Sequence, residues 1–280
     1  QNKTIILNFG IRFIHIKITL NFMDFILIAF FALLGSMLTF FSGFGLGTIL
    51  TPIFILFFPV DISIALTAIV HLLNNCFKLL IIGRHINLKV ALYFGGAGLI
   101  SALAGAKVLS LFTNKNILYS YTLGQKTIDV PLLHFIIGFL FIVFSILEVI
   151  PNGKQKLAIK NSALVFGGSI SGFFGGLSGH QGALRSIFLL KYGLTKESFI
   201  ATGVIVACCI DISRISIYST QFYNNINLNV LPLLATAIAS AFFGAILGKK
   251  FLKKVTLKSM NILVGVLIST MGLLMVLGLI

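Results

Sequence analysis

Two glycine-rich segments of this chain have the residue types and spacing of an anion-binding site. The first contains Gly43, Gly45 and Gly47 and runs into an apolar stretch that begins with Thr48 and includes Thr51. Glycines spaced by two do not form a helix-packing face, so they favour an unwound backbone whose N–H groups face a ligand. A short helix that starts here would point its positive N-terminal end at an anion.

The second glycine-rich segment has the same character and adds a full positive charge. Arg185 is one turn into the apolar run that follows it, where a guanidinium could bind an anion. By contrast, Gly168, Gly172 and Gly176 are spaced by four, which is typical of close packing between membrane helices. The candidate binding residues of the second segment are Gly179, His180, Gln181, Gly182, Arg185 and Ser186.

Charged side chains also occur inside the longer apolar runs, where they are costly and usually face the interior. Asp211 and Arg214 are three residues apart, and this spacing predicts an ion pair on one helix. Lys78 either faces the interior or extends to the membrane surface along its aliphatic chain. With Asn75 on a neighbouring position, these residues form a candidate gating or ion-pair group.

Other kinds of chemistry are excluded by the residues that are missing. Gly176-Leu-Ser-Gly179 fits the pattern of intramembrane serine proteases, but no histidine follows His180 to act as the base on a later helix. The sequence has no HExxH or CxxC motif and no paired carboxylates within its apolar runs. It therefore predicts neither a catalytic site nor a metal or other cofactor.

The elements that position these residues are membrane helices. Of the 280 residues, 58% are hydrophobic and 10% are charged, whereas soluble domains carry about 25% charged residues. A spanning helix needs about 20 mostly apolar residues, and strand-like alternation is absent. We expect an all-α integral membrane protein, a polytopic helical bundle of about 8–10 membrane segments. The runs at 45–59 and 182–194 are too short to span comfortably and are predicted to be broken or re-entrant helices.

The distribution of charge predicts the orientation. The formal net charge is +15, and the basic residues lie in short loops between apolar runs, which indicates a lipid bilayer and not nucleic acid as the partner. The loops at 83–89, 150–161 and 249–258 are basic and predicted to be cytoplasmic. The loops at 113–130 and 221–227 are expected on the opposite side.

An internal repeat divides the chain. At an offset of 135 residues Gly47 aligns with Gly182, and at an offset of 139 the segment 101–106 aligns with 240–245. An odd number of crossings separates the two units, so they are predicted to be inverted relative to each other.

The repeat gives the expected division of the chain. Residues 23–149 form the first transmembrane repeat, 150–161 a basic cytoplasmic loop and 162–280 the second repeat. Residues 1–22 are an N-terminal extension, which we expect to be either an interfacial helix or a poorly ordered or non-native segment.

The two glycine segments together resemble a known family. Ser-Gly-Phe-Gly-Leu-Gly-Thr-Ile-Leu-Thr-Pro at 42–52, paired with Gly-Leu-Ser-Gly-His-Gln-Gly at 176–182, is similar to the sulfite exporter TauE/SafE family. The resemblance covers about 23–280. It implies movement of sulfite, a small sulfur-containing organic anion or a related anion across a bacterial inner membrane.

Three functions remain open on the sequence. The leading hypothesis is a secondary transporter of a small anion, an exporter, with the proton as the expected coupling ion. The second is an anion channel of the same symmetric architecture. The third is a membrane enzyme or an assembly subunit that transports nothing.

Overall fold

The structure, a computed structural model, describes residues 7–9, 12–14, 21–42, 45–112, 116–149, 160–222, 230–251 and 257–280. These residues are mainly helical. A π-helical turn at Ala91–Gly95 joins α4 to α5, so that the two form one continuous helical segment. The helices are α1 (Phe22–Ser42), α2 (Gly47–Ile55), α3 (Val60–Ile82), α4 (Leu88–Val90), α5 (Gly96–Leu111), α6 (Leu132–Val149), α7 (Asn161–Ser178), α8 (Gly182–Lys191), α9 (Lys196–Phe222), α10 (Leu231–Phe251) and α11 (Leu257–Val276).

The helices have the length and surface of membrane spans. Five segments of the described chain are long and apolar enough to cross a bilayer, and the apolar parts of α6 and α11 are somewhat shorter. The outward faces are apolar, with Leu80 and Leu92 86% and 74% exposed, whereas Asp211 and Arg214 are fully buried. The prediction of an all-α polytopic membrane protein is confirmed. The five segments are Phe22–Phe40, Val60–His85, Leu88–Leu111, Lys196–Ser219 and Leu231–Lys250.

The two short helices form where the glycine segments predict them. Helix α2 begins at Gly47, and all nine of its residues are buried. Gly179 ends α7 in a left-handed conformation with φ of 80°, which glycine adopts at little cost, and α8 begins three residues later at Gly182.

Small residues bring α5 and α7 into close contact. A Cβ atom placed on Gly168 would lie 2.2 Å from the carbonyl oxygen of Phe94, and one on Gly176 would lie 2.2 Å from that of Ala102. The packing role expected for the glycines spaced by four is thus confirmed. Because the later residue of α7 contacts the later residue of α5 and the earlier contacts the earlier, the two helical segments run in the same direction.

The helices of the first half pack against those of the second half in a reciprocal pattern. By sequence offset, α1, α2, α3, α5 and α6 correspond to α7, α8, α9, α10 and α11. Helix α1 packs on α10 just as α5 packs on α7, and α3 packs on its own counterpart α9 as α6 does on α11. Exchanging the two halves therefore leaves these main helix contacts unchanged.

Corresponding helices run in opposite directions. His71 of α3 contacts Asp211 of α9, whereas Asn87, just beyond α3, is hydrogen-bonded to Thr202 near the start of α9. Helices α3 and α9 are therefore antiparallel.

The pair α6 and α11 has the same relation. A Cβ on Gly138 would lie 2.9 Å from Cβ of Met275, and one on Gly272 would lie 3.0 Å from Ile142. Later residues of α6 thus contact earlier residues of α11, so these two helices are also antiparallel.

The directions of α1 and α7 follow from their neighbours. Ser36 and Thr39 of α1 contact Asn74 and Lys78 of α3, so α1 runs with α3. Contacts of Gly95 with Val206 and of Gly98 with Ile210 show that α5 runs with α9. Since α7 runs with α5, it is opposite to α1.

A β-hairpin, which the sequence analysis does not predict, occupies the loop between α5 and α6. Strand β3 (Ile117–Leu123) pairs antiparallel with β4 (Lys126–Pro131), and Gly124 turns the chain with φ of 65°. The Tyr121 hydroxyl donates to the carbonyl oxygen of Leu277 at 2.6 Å, which attaches the hairpin to the end of α11. A two-stranded ribbon is allowed here because it lies beyond the ends of the spans, where water can satisfy its edges.

The N-terminal extension also differs from the interfacial-helix expectation in its described residues. Leu7–Phe9 and Arg12–Ile14 pair as an antiparallel ribbon, β1 and β2, and not as a helix.

Candidate functional site

A small enclosed cavity lies between α1, α3, α8 and α9. Its volume is about 10 Å³, close to the smallest cavity that holds one water molecule. Its polar lining combines two cationic side chains with a histidine, an amide and a hydroxyl, and α9 closes it with apolar residues. The lining residues are Thr39, His71, Asn75, Lys78, Arg185, Ile200, Val204 and Ala207.

Lys78 points into the bundle. It is 2% exposed, its Nζ donates to Thr39 Oγ1 at 3.0 Å, and it lies 5.8 Å from the centre of the Phe40 ring. The structure therefore decides between the two alternatives for this residue, because a side chain extending to the membrane surface would be exposed at its tip.

Arg185 reaches the same cavity from α8. It is 3% exposed and lies in the first turn of the helix, near the positive end of the helix dipole. Gly203 of α9 makes room for it, since a Cβ there would lie 3.3 Å from Arg185 Nε. The start of α8 and the space left by Gly203 thus place the guanidinium of Arg185 beside Lys78.

A buried ion pair adjoins the cavity. Asp211 Oδ1 accepts a hydrogen bond from Arg214 Nε at 2.9 Å and lies 2.8 Å from Nη2, so the ion pair predicted from the spacing is present. The second oxygen, Oδ2, lies 2.6 Å from Nδ1 of His71. His71 therefore connects the Asp211–Arg214 pair to the cavity.

The two glycine segments meet beside this ion pair. A Cβ on Gly47 would lie 3.3 Å from the carbonyl oxygen of Gly179. A Cβ on Gly179 would lie 2.9 Å from Arg214 Nη1 and 3.6 Å from Thr51 Oγ1. A continuous polar path thus runs from the crossing of the two segments through Arg214, Asp211 and His71 to the cavity.

Some predicted site residues do not line the cavity. The His180 ring packs against Phe141 and Phe144 of α6, and its Nδ1 is 3.0 Å from the carbonyl oxygen of Ser178. Ser186 donates to the carbonyl of Gly182 in its own helix at 2.8 Å. Local backbone acceptors hold both side chains in this arrangement, and their part in anion binding stays a prediction.

The other predicted residues that the structure describes are buried. Thr48, Gly182 and Gln181 lie in the protein interior, and Gln181 has no hydrogen-bond partner for its amide among the described residues. Gly45 lies against the His71 ring, since a Cβ there would be 2.8 Å from Nε2. Gly43 lies outside the described residues.

Sequence reasoning missed two residues that line the cavity. The residue pattern does not assign Thr39 or His71 to the site, although both line the cavity. The available signal was a polar stripe on α3, where His71, Asn75 and Lys78 recur at helical spacing and are all buried.

The charge of the site is positive. In the described part of the chain, this cluster holds Lys78, Arg185 and Arg214 but one carboxylate, Asp211, which leaves a surplus of two positive charges when His71 is neutral. No group of three His, Cys, Asp or Glu side chains that could hold a metal ion occurs among the residues that the structure describes.

The comparisons with known proteins agree with this architecture. The model of the family described as sulfite exporter TauE/SafE matches residues 27–275. Searches of the curated proteins and of the solved structures found no match. Because the family model covers nearly all of the helical bundle and both glycine segments, the chain belongs to the sulfite exporter TauE/SafE family of membrane transporters.

Proposed function

We propose that this protein exports a small anion, sulfite or a small sulfur-containing organic anion, across a bacterial inner membrane as a secondary transporter. Its family supplies the transporter class and the name of a substrate. Membership of a transporter family also decides against the alternative of a membrane enzyme or assembly subunit. The substrate and the direction are the proposal.

The observation that carries the proposal is the cavity shared by Lys78 and Arg185. Burying a cation away from water costs several kcal/mol unless a partner offsets it. In this cluster the cations outnumber the carboxylate. An anion that enters the cavity would therefore exchange its hydration shell for contacts with the fixed charges of Lys78 and Arg185. A guanidinium fork also matches the geometry of an oxyanion.

The cavity is closed around this site. Its volume of about 10 Å³ leaves room for about one water molecule, whereas sulfite has four heavy atoms. Helices α1, α3, α8 and α9 must separate before an anion can bind, and we take the arrangement as a closed state of the transport cycle.

Two inverted repeats would provide that movement. Support comes from the reciprocal packing of the halves and from the opposite directions of α3 and α9, of α6 and α11 and of α1 and α7. In transporters of this kind, one repeat rocks against the other around a site near the middle of the membrane.

A second cavity supports an access route on the basic side. Its volume is about 400 Å³, and basic Arg84 and Lys249 border it together with Glu197. Phe40 borders this cavity and also lies over Lys78, so its ring separates the second cavity from the buried site. Positive charges at this mouth would concentrate anions.

Flux measurements in proteoliposomes test the proposal and separate it from an anion channel. Vesicles loaded with sulfite should release it faster when they contain the protein, and the rate should saturate with sulfite concentration. Unlabelled sulfite on the far side should accelerate exchange of labelled sulfite, as expected of a carrier. Flux that never saturates and shows no exchange acceleration would favour the channel, and vesicles without protein-dependent flux would overturn transport itself.

A further inference from the structure

His71 has a position that anion binding by Lys78 and Arg185 does not require. Its ring is 1% exposed, lines the cavity on one side and contacts the carboxylate of Asp211 on the other. A titratable ring at this junction can exchange protons in response to the charge inside the cavity.

The hydrogen bonds determine which ring nitrogen is available. A carboxylate only accepts, so Nδ1 carries the hydrogen that it donates to Asp211 Oδ2 over 2.6 Å. Nε2 is then the basic nitrogen of the neutral ring. The amide nitrogen of Asn75 lies 3.2 Å from Nε2 and 3.3 Å from Nδ1.

We propose that His71 Nε2 is the proton-binding site that couples protons to anion binding in this transporter. The inference rests on the proposed function and names the residue that would carry the coupling proton. The proton comes from water, binds the lone pair of Nε2 and returns to water when the anion leaves. No covalent bond other than this N–H bond forms or breaks.

The surroundings of His71 make the proton and the anion cooperative. Asp211 favours the protonated ring from α9, whereas Lys78 on its own helix, Arg185 from α8 and Arg214 from α9 oppose it. An anion between Lys78 and Arg185 would offset their charge and favour the second proton on His71. By reciprocity, a proton on His71 must then strengthen anion binding by the same factor.

The remaining neighbours of the ring suit both protonation states. The Asn75 amide can donate to neutral Nε2, and by turning over it can accept from the protonated nitrogen. Gly45 leaves space at Nε2, since any Cβ there would be 2.8 Å away. The thiol of Cys208 is the further titratable group nearby on α9, and it is buried.

Calorimetric titration of the purified full chain with thiosulfate tests this coupling. Thiosulfate keeps its charge over the range of about pH 5 to 8 in which histidine titrates. Repeating the titration in buffers of different ionisation enthalpy gives the number of protons taken up with each anion. We expect uptake by the wild type, and an affinity that falls up to about tenfold per pH unit above the midpoint.

Variants assign the effect to His71. His71→Gln should bind thiosulfate with little pH dependence and without this proton uptake, while His134→Gln, the same change in α6, should behave as the wild type. Asn75→Asp places a carboxylate beside Nε2 and should move the midpoint of the pH dependence to higher pH, which gives a test that does not remove the ring.

Unchanged proton uptake in His71→Gln, or none in the wild type, would overturn the proton site alone. A wild type that binds neither thiosulfate nor sulfite at any pH would overturn the proposed function as well.

Discussion

At the scale of single residues, glycines leave the space that the buried side chains of the site occupy. Gly203 faces Arg185 at a Cβ distance of 3.3 Å, and Gly45 faces His71 at 2.8 Å. Both glycines lie on a neighbouring element and not on the helix of the charged residue. The site therefore depends on space left by one segment for a side chain from another.

Gly203→Ala should weaken anion binding without unfolding the protein. The added methyl group would press on Arg185 Nε and shift the guanidinium by a few tenths of an ångström. We expect affinity for sulfite to fall about fivefold, on the order of 1 kcal/mol. Gly96→Ala is the matched control, since its Cβ would meet nothing within 4 Å, and binding equal to wild type in both variants would contradict the proposed role of Gly203.

The sequence predicts the cationic side chains of the site but not the contact between helices that His71 makes. Arg185 and Lys78 are conspicuous because charges inside apolar runs are rare. The contact between His71 and Asp211 joins residues 140 positions apart, and no local spacing reveals it. The surroundings of His180 were equally hidden from the sequence, because its contact with the ring of Phe141 joins the segment between α7 and α8 to the distant helix α6.

At the scale of elements, close backbone packing holds the scaffold around the site. Helices α5 and α7 meet through glycine and small residues, and a Cβ on Gly172 would lie 2.2 Å from the carbonyl oxygen of Gly98. Spacing by four predicts this interface directly from the sequence. The hairpin β3–β4 was not predicted because its short alternation is much weaker than the signal of the spanning helices.

Gly172→Ala should lower thermal stability strongly in detergent. The methyl group meets backbone, which cannot rotate away as a side chain can, so α5 and α7 must separate. Overpacking of this kind costs at least about 1–3 kcal/mol. Gly96→Ala in α5 should leave the melting temperature near that of the wild type. Equal melting temperatures for the two variants would contradict the packing described for this interface.

At the scale of the whole molecule, the bundle has two different ends. Arg84 beyond α3 and Lys249 of α10 border one cavity, so two of the basic loops lie at the same end. The hairpin after α5 lies at the end of α11, because Tyr121 bonds to Leu277. Loop charge could predict this polarity, whereas the reciprocal packing of the two halves needed tertiary contacts.

Cysteine labelling in intact cells tests this polarity. In a background without the three native cysteines, Lys89→Cys should resist an impermeant thiol reagent added outside, because basic loops face the cytoplasm. Thr122→Cys at the hairpin should react rapidly, since this residue is exposed. Fast labelling of Lys89→Cys together with protection of Thr122→Cys would reverse the orientation.

The central claim is that a buried pair of cations binds the transported anion, and calorimetric titration of sulfite into the purified protein measures it directly. Arg185→Gln removes the charge but keeps a hydrogen-bonding side chain, and Arg185→Lys keeps the charge but loses the planar fork. Lys191→Gln removes a charge from the same helix at its far end. We predict at least a tenfold loss of affinity in Arg185→Gln, about 1.4 kcal/mol, partial recovery in Arg185→Lys and wild-type binding in Lys191→Gln. Wild-type affinity in a folded Arg185→Gln protein would contradict the claim.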